Sequence, residues 1–383
     1  MRVLILGGRA PVALDHARRF AAQGWSVGIA DSAPCRLSAW SRAVDSVTAL
    51  PPPRQALPEF AAQLARVISA QRIDLVLPTC EEVFYVSRVR SQLPATCSVF
   101  AAPFEQLREL HSKWRFLTHA RHCGVNVPPA ARVPDLAAAR EWAGDRPVVL
   151  KPEFSRFGVH VRVHPGGIPA AAPPLPAVGP WIVQAFQPGR ELCSYGIACD
   201  GRLTAHVAYE PSYRLPGSSS YFFEPRVVPR IEAFMATFVE RTRFTGQIAF
   251  DWILGDDGEL SVLECNPRAS SGLHLFDRAA LLPAAICDPG TARVSPGQPA
   301  PRMIASVMLA VGMPAAMRAG RFRRWHADWS RASDVLAIPA DGRPALGACC
   351  DLAAYAGRAL RAGCSVRAAT THDIEWDGEP LHA

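Results

Sequence analysis

The chain has 383 residues, 49% of them hydrophobic and 20% charged, enough apolar material for two or three packed domains and too little charge for a disordered polymer. Its formal net charge of +7 comes from scattered arginines without aromatic–basic interleaving, which suits a phosphate-bearing small molecule and argues against a nucleic-acid groove. No run approaches the ~18 apolar residues of a membrane span. The opening apolar stretch is too short for a signal peptide, and 11 cysteines without CxxC pairs read as free thiols in a reducing cytoplasm.

Residues 3–6 form a short apolar run ending in Gly7-Gly8. A helical pattern through Leu14, Ala17, Phe20 and Ala21 follows, stopped by Gly24, and a second run over 25–30 ends in Asp31. This is a β-α-β unit. Further runs at 73–78 and 98–101 alternate with helical stretches, predicting a small parallel sheet with helices on both faces across residues 1–103. A dinucleotide-binding unit is the rival reading. Its G-x-G-x-x-G fingerprint fails, because Gly7 and Gly8 are adjacent and Arg9-Ala10-Pro11 follow; Asp31 alone, at the ribose-binding position, does not restore it. Glu81 and Glu82 come just after the 73–78 run, where the switch-point crevice of such a sheet places ligand contacts.

Residues 103–123 carry one long helical pattern stopped by Gly124, with Lys113 in its middle. Residues 142–163 hold two strand candidates around a loop, and a proline- and alanine-rich linker (164–180) leads to a strand at 181–186. Of the 41 basic residues only Lys113 and Lys151 are lysines. An ammonium is a compact point charge that a planar guanidinium does not mimic, and holding a phosphate oxygen in a tight pocket is one use for it. Lys151 ends the run Pro147-Val148-Val149-Leu150 and precedes Pro152, a buried-strand setting in which an idle lysine costs desolvation.

Residues 250–254 and 259–268 flank an Asp257-Gly258 turn and read as a β-hairpin. With a two-residue loop at Asp256-Asp257, Ala249 faces Glu264 and Asp251 faces Val262, so Asp251, Glu264 and Asn266 share one face; a three-residue loop would shift that parity. Two carboxylates and an amide are hard oxygen donors that suit magnesium, and the absence of His or Cys from the set disfavours zinc. Cys265 points the other way, as a small core residue. Residues 212–221 read as a polar loop in which Arg214 is a candidate clamp for a substrate carboxylate. Past about residue 300 there is a basic patch at 321–325 and a helical stretch at 351–361.

Taken together, these motifs resemble the ATP-grasp superfamily over residues 1 to about 280. Lys113, ahead of His122-Cys123-Gly124-Val125-Asn126-Val127-Pro128, resembles the first ATP-binding lysine, and Lys151 in Val149-Leu150-Lys151-Pro152 resembles the second. Ser155-Arg156-Phe157-Gly158 takes the place of the glycine-rich flap. Val183-Gln184-Ala185-Phe186 resembles the adenine hinge, with Gln184 where glutamate is usual, and Glu191 falls on the ribose-binding glutamate. Asp251, Glu264 and Asn266 fall on the magnesium ligands, and Asn266-Pro267-Arg268 is the form common in the carbamoyl-phosphate synthase branch.

The resemblance implies an α/β chain: an N-terminal parallel-sheet domain (1–103), an ATP-grasp domain (104–300) with a lid at about 142–188 and a central mixed sheet, and a C-terminal accessory region (301–383). It also implies ATP and Mg2+ as cofactors, and small-molecule carboxylate and amine substrates joined through an acylphosphate. Arg268 would steady the acyl intermediate. Nucleic acid and membrane are not expected as partners, and a homodimer is left open. The rival of another class is a nucleotide-binding shell that no longer turns over; the intact Asp251, Glu264, Asn266 and Arg268 set weighs against it. Carbamoyl-phosphate-like chemistry is a lesser alternative within the enzymes.

Overall fold

The computed structural model describes residues 1–155, 160–177, 179–215, 220–297 and 300–381. The first apolar run becomes β1 (Arg2–Leu6), and its alternate side chains serve two cores. Leu4 and Leu6 join Phe60, Leu64 and Ile68 of α2 (Leu57–Gln71), whereas Val3 and Ile5 join Ala13, Ala17 and Phe20 of α1 (Pro11–Ala22). Burial on both faces is what a parallel strand requires. With β2 (Ser26–Asp31), β3 (Ser46–Ala49), β4 (Leu75–Leu77) and β5 (Ser98–Val99) it forms a parallel sheet in the order β3-β2-β1-β4-β5. The edge strand β3 was not expected, because its exposure alternates and it carries no apolar run.

The strand order reverses between β1 and β4, so Gly7-Gly8-Arg9 and residues 78–81 line the crevice at their carboxyl ends. Gly7 is required there: its φ is +74° and a Cβ would lie 2.6 Å from Thr79 Oγ1. The Asp31 carboxylate is already engaged within the chain. It accepts from Arg9, whose guanidinium is shared with Asp373 near the C-terminus.

The expected single helix over 103–123 is two helices, α4 (Phe104–His111) and α5 (Arg115–His122). Ser112 turns extended (φ −62°, ψ 113°), and its hydroxyl accepts from Arg115 N, satisfying a free amide of the second helix. Helical periodicity does not reveal a one-turn interruption that keeps both halves in phase. Trp142, expected in a strand, closes α6 (Leu136–Ala143).

A small antiparallel sheet follows, in the order β6-β9-β7-β8: β6 (Ala130–Val133), β7 (Val148–Pro152), β8 (Arg162–His164) and β9 (Trp181–Ala185). The linker between β8 and β9 is tethered by Arg162 to Pro173 O and Pro174 O, at 2.6 and 3.0 Å. The central sheet runs β14-β13-β10-β11-β12-β15-β16. Its strands are β10 (Arg190–Cys199), β11 (Arg202–Arg214), β12 (Ser220–Arg226), β13 (Gly246–Leu254), β14 (Leu260–Asn266), β15 (Arg302–Met303) and β16 (Ser333–Asp334).

One face of the central sheet packs Phe250 and Trp252 against Phe234 and Phe238 of α7 (Pro229–Thr242) and Phe116 of α5. Asp251, between them, points to the other face. The C-terminal region adds a helix over Arg343–Ala362, and residues 370–381 then return to the N-terminal sheet. Among the described residues no helix is long and apolar enough to cross a membrane.

A buried polar knot joins the first sheet's helix to the central sheet. Gln247 Oε1 accepts from Tyr195 OH (2.7 Å) and lies 2.8 Å from His16 Nε2, while Gln247 Nε2 donates to Pro78 O. Burial drives the fully enclosed His16 from 6.5 down to about 4. Between those values the unfolded chain takes up a proton that the folded chain refuses, so stability falls as pH drops through that window. His16 contributes on the order of 3 kcal/mol to the loss by pH 4, and the buried His206, also lowered to about 4, adds to it. Denaturant unfolding from pH 4 to 7 should therefore show a steep acid limb that is shallower in His16→Gln; an unchanged slope would refute the assignment.

Candidate active site

The hairpin expected to carry metal ligands forms, but not in the expected register. Its loop has five residues rather than two, with Leu254 opposite Leu260 and Trp252 opposite Val262. An odd loop alone would turn Glu264 away from Asp251. A bulge between Asp251 and Trp252 inserts Leu263 and restores the parity, so that Asp251 faces Glu264 directly and Ala249 faces Asn266. The three side chains do share a face, by a route that turn chemistry alone did not reveal. The row continues across the sheet as Glu264, Asp251, Cys193 and Tyr209, and Cys193 Sγ lies 3.2 Å from Asp251 Oδ1.

Both lysines converge on this row from other elements. Lys113, in the break between α4 and α5, is 5% exposed; its Nζ donates to Ser155 O at 2.8 Å and stands 3.8 Å from Glu264 Oε2. Lys151 is buried on β7. Burial lowers its ammonium to about 8 despite the attraction of Glu264 and Asp251, with Lys113 adding repulsion. Burial also pushes Glu264 upward, but Lys113 and Lys151 outweigh it and the carboxyl ends well below its ordinary value. Asp251 goes the other way, raised by burial and then by the like charge of Glu264. The Glu264 side chain keeps 29% of its surface open, so the cluster can be reached from solvent.

Glu153, overlooked in the sequence, joins the two lysine segments. Its Oε1 accepts from Ser112 Oγ at 2.5 Å, its carbonyl accepts from Lys113 N, and Arg132 lies 3.0 Å from Oε2. An acid two residues past a buried lysine was the available signal. Asn266 Nδ2 donates to Asp251 Oδ2 (3.2 Å), and Asn266 Oδ1 accepts from Arg268 Nη2 (3.0 Å). Arg268 Nε is also 3.5 Å from Glu81 Oε1, which ties the hairpin to the crevice of the first sheet.

The neighbouring Glu82 instead turns back onto the loop ahead of α3 (Glu82–Arg88), accepting from Thr79 N and Cys80 N. Of the two glutamates, Glu81 is the one that reaches the site. Arg214 pairs with Glu191 on the adjacent strand, both about half exposed, so the candidate substrate clamp and the candidate ribose ligand neutralise each other. Gln184 is buried on β9, and its Nε2 has no partner among the described residues. The amides of Ala185 and Phe186 donate to Pro129 O and Pro147 O, leaving those two residues only carbonyls and side chains for a ligand. Arg156, Phe157 and Gly158 of the expected flap lie outside the described residues.

Among the described residues no three His, Cys, Asp or Glu side chains gather as a metal site. The two facing carboxylates with the Asn266 amide are nonetheless a hard-oxygen set suited to a divalent cation, whose charge would relieve the repulsion that raises Asp251.

No family model and no curated protein matches this sequence. Solved structures do. The N5-carboxyaminoimidazole synthetase of Staphylococcus aureus complexed with ADP has a TM-score of 0.59 at 13% identity, over 84% of this chain and 86% of that one. The L-amino acid ligase of Bacillus licheniformis has 0.55 at 14%, over 74% of each chain. Rhizobium etli pyruvate carboxylase has 0.56 at 15%, over 71% of this chain; the match spans only 26% of that enzyme.

Replacing one of two facing carboxylates removes the repulsion but keeps the shape. Asp251→Asn should raise stability without divalent cation by on the order of 1 kcal/mol, read as a higher thermal midpoint. A lower midpoint would mean that the pair is not strained.

Proposed function

We propose that this chain, which has the ATP-grasp fold, is an ATP-dependent ligase that joins a small carboxylate to an amine. The carboxylate oxygen attacks the γ-phosphorus of ATP, giving an acylphosphate and ADP. The amine then attacks the acyl carbon, phosphate leaves, and the nitrogen loses its proton. The observation that carries this reading is the convergence of the chain's only two lysines, from two separate elements, on the carboxylate row of the hairpin.

Lys113 and Lys151 neutralise phosphate oxygens, and burial makes each charge count for more than it would in water. Asp251, Glu264 and Asn266 would hold Mg2+, which when bound draws off charge from the β- and γ-oxygens. For Asn266 to ligate through oxygen, its amide must turn away from Arg268. Arg268 then has its guanidinium for the reacting carboxylate, with Glu81 keeping it oriented. Gln184 Nε2, without a partner among the described residues, supplies a donor for the base. Glu191 reaches a ribose only by releasing Arg214.

Bicarbonate is a second choice of carboxylate, supported by the names of two of the solved structures above, a pyruvate carboxylase and an N5-carboxyaminoimidazole synthetase. A screen of ADP release with pooled amino acids, other small carboxylates and bicarbonate, followed by mass spectrometry, tests the reading; no carboxylate-dependent ADP release would sink it.

At Lys151 a guanidinium is too wide for a strand position that is 6% exposed. Lys151→Arg should fold and yet lose on the order of a hundredfold in turnover. Near-normal ADP release from the folded variant would remove Lys151 from the site.

A further inference from the structure

The segment 370–381 lies against both the N-terminal crevice and the base of the lysine site. Arg9 clasps Asp373 through Nη1 and Nη2, at 2.6 and 2.7 Å, and Tyr85 OH donates to Glu375 O at 2.6 Å. Arg54 pairs with Glu375, Asp377 and Glu379.

Between these anchors Trp376, 1% exposed, enters a box of rings. Its centroid distances are 5.0 Å to Phe84, 5.4 Å to Phe104, 6.2 Å to His111 and 5.1 Å to Phe154. Two residues on, Gly378 has φ +91°, and a Cβ there would stand 2.5 Å from the Phe154 ring. The indole Nε1 closes the hook by donating to Glu379 O at 2.8 Å. Phe154 is therefore gripped between an indole and a glycine that no other residue can replace without displacing it.

The rings in this box flank the groups that hold the lysines. His111 precedes Ser112 and Lys113; Phe154 sits between Glu153, which receives Ser112 Oγ and Lys113 N, and Ser155, whose carbonyl receives Lys113 Nζ. The Trp376 amide also donates a long hydrogen bond (3.4 Å) to Glu81, the partner of Arg268.

We infer that Trp376 is a positioning residue: the C-terminal hook fixes Phe154, and through it the junction that aims Lys113 at bound phosphate. This rests on the nucleotide reading of the lysine site. It gives residues 370–381 a role in the ATP site, although among the described residues they touch none of its charged groups except Glu81.

The test compares Trp376→Ala, Trp376→Phe and Ile374→Ala. Ile374 is equally buried in the same segment but faces the crevice beside Leu6, Leu50 and Phe60. It therefore controls for loss of tail stability. Two readouts are taken: the MgADP dissociation constant by calorimetry, and amide hydrogen exchange over residues 112–116 without nucleotide.

Trp376→Ala should weaken MgADP binding about tenfold and speed exchange at Lys113, Trp376→Phe should restore most of both, and Ile374→Ala should leave both near wild type. Equal exchange in Trp376→Ala and wild type, or an equal change in Ile374→Ala, overturns the inference. Failure of the wild-type protein to bind MgADP would instead discard the nucleotide reading; the exchange arm, which needs no nucleotide, then decides alone whether the hook positions Lys113.

Discussion

Two lysines held out of water beside two facing carboxylates are the constraint around which the chain is arranged. Each ion taken from water costs several kcal/mol even after relaxation, and opposite charge offsets that only when the geometry is fixed. Here it is fixed from four directions. Lys113 comes from a break between helices, Lys151 from the small antiparallel sheet, Asp251 and Glu264 from the central hairpin, and Glu81 from the first sheet by way of Arg268. No single segment can hold the cluster, so its formation requires that all three sheets are in place.

Two irregularities in the backbone do most of the aiming, and each is a local cost accepted for a charge. The α4–α5 break gives up helical hydrogen bonds so that Ser112 and Lys113 can reach Glu153 and Ser155. The bulge at Leu263 interrupts the ladder beside the Asp251–Glu264 pair. Without it, Glu264 would turn toward the face that packs Phe250 and Trp252 against α7, an apolar setting with no cation to meet it. An unpaired charge there would cost far more than one ladder hydrogen bond, so the pattern of charges decides the register of the hairpin.

Much of this architecture was legible because it rests on periodicity and on charge placed in apolar runs. The β-α-β start and the two lysines have that character; the three oxygen ligands were legible as a set, but their shared face is reached through a bulge that the expected two-residue loop did not contain. Features set by contacts distant in sequence were not legible. The helix break depends on Glu153, some forty residues away, and the edge strand β3 on a neighbour rather than on its own hydrophobicity. The neutralisation of Arg214 by Glu191 depends on strand pairing that the residues alone do not specify. The return of the C-terminal segment to the first sheet has no local signature, since an arginine near residue 9 and an aspartate near residue 373 announce nothing until the fold brings them together.

The distribution of basic side chains then follows from the number of donors a site can satisfy. Around the cluster, arginine occupies positions with room at the rim or acceptors enough for its fork: Arg132 on Glu153 is about half exposed, and the largely buried Arg268 spreads its donors over Asn266, Ala269 and Glu81. A guanidinium carries five N–H groups in one plane, and every one that is buried without an acceptor is a penalty. At 5% exposure Lys113 has one carbonyl and one carboxylate to meet, which three donors on a rotating ammonium can satisfy while leaving one directed at an incoming oxygen. Lysine therefore stands where burial is nearly complete and the acceptors are few. Arginine is enclosed as fully elsewhere, as at Arg9 between Asp31 and Asp373, but there the acceptors match its donors, so the rare lysines mark enclosed places where acceptors are few.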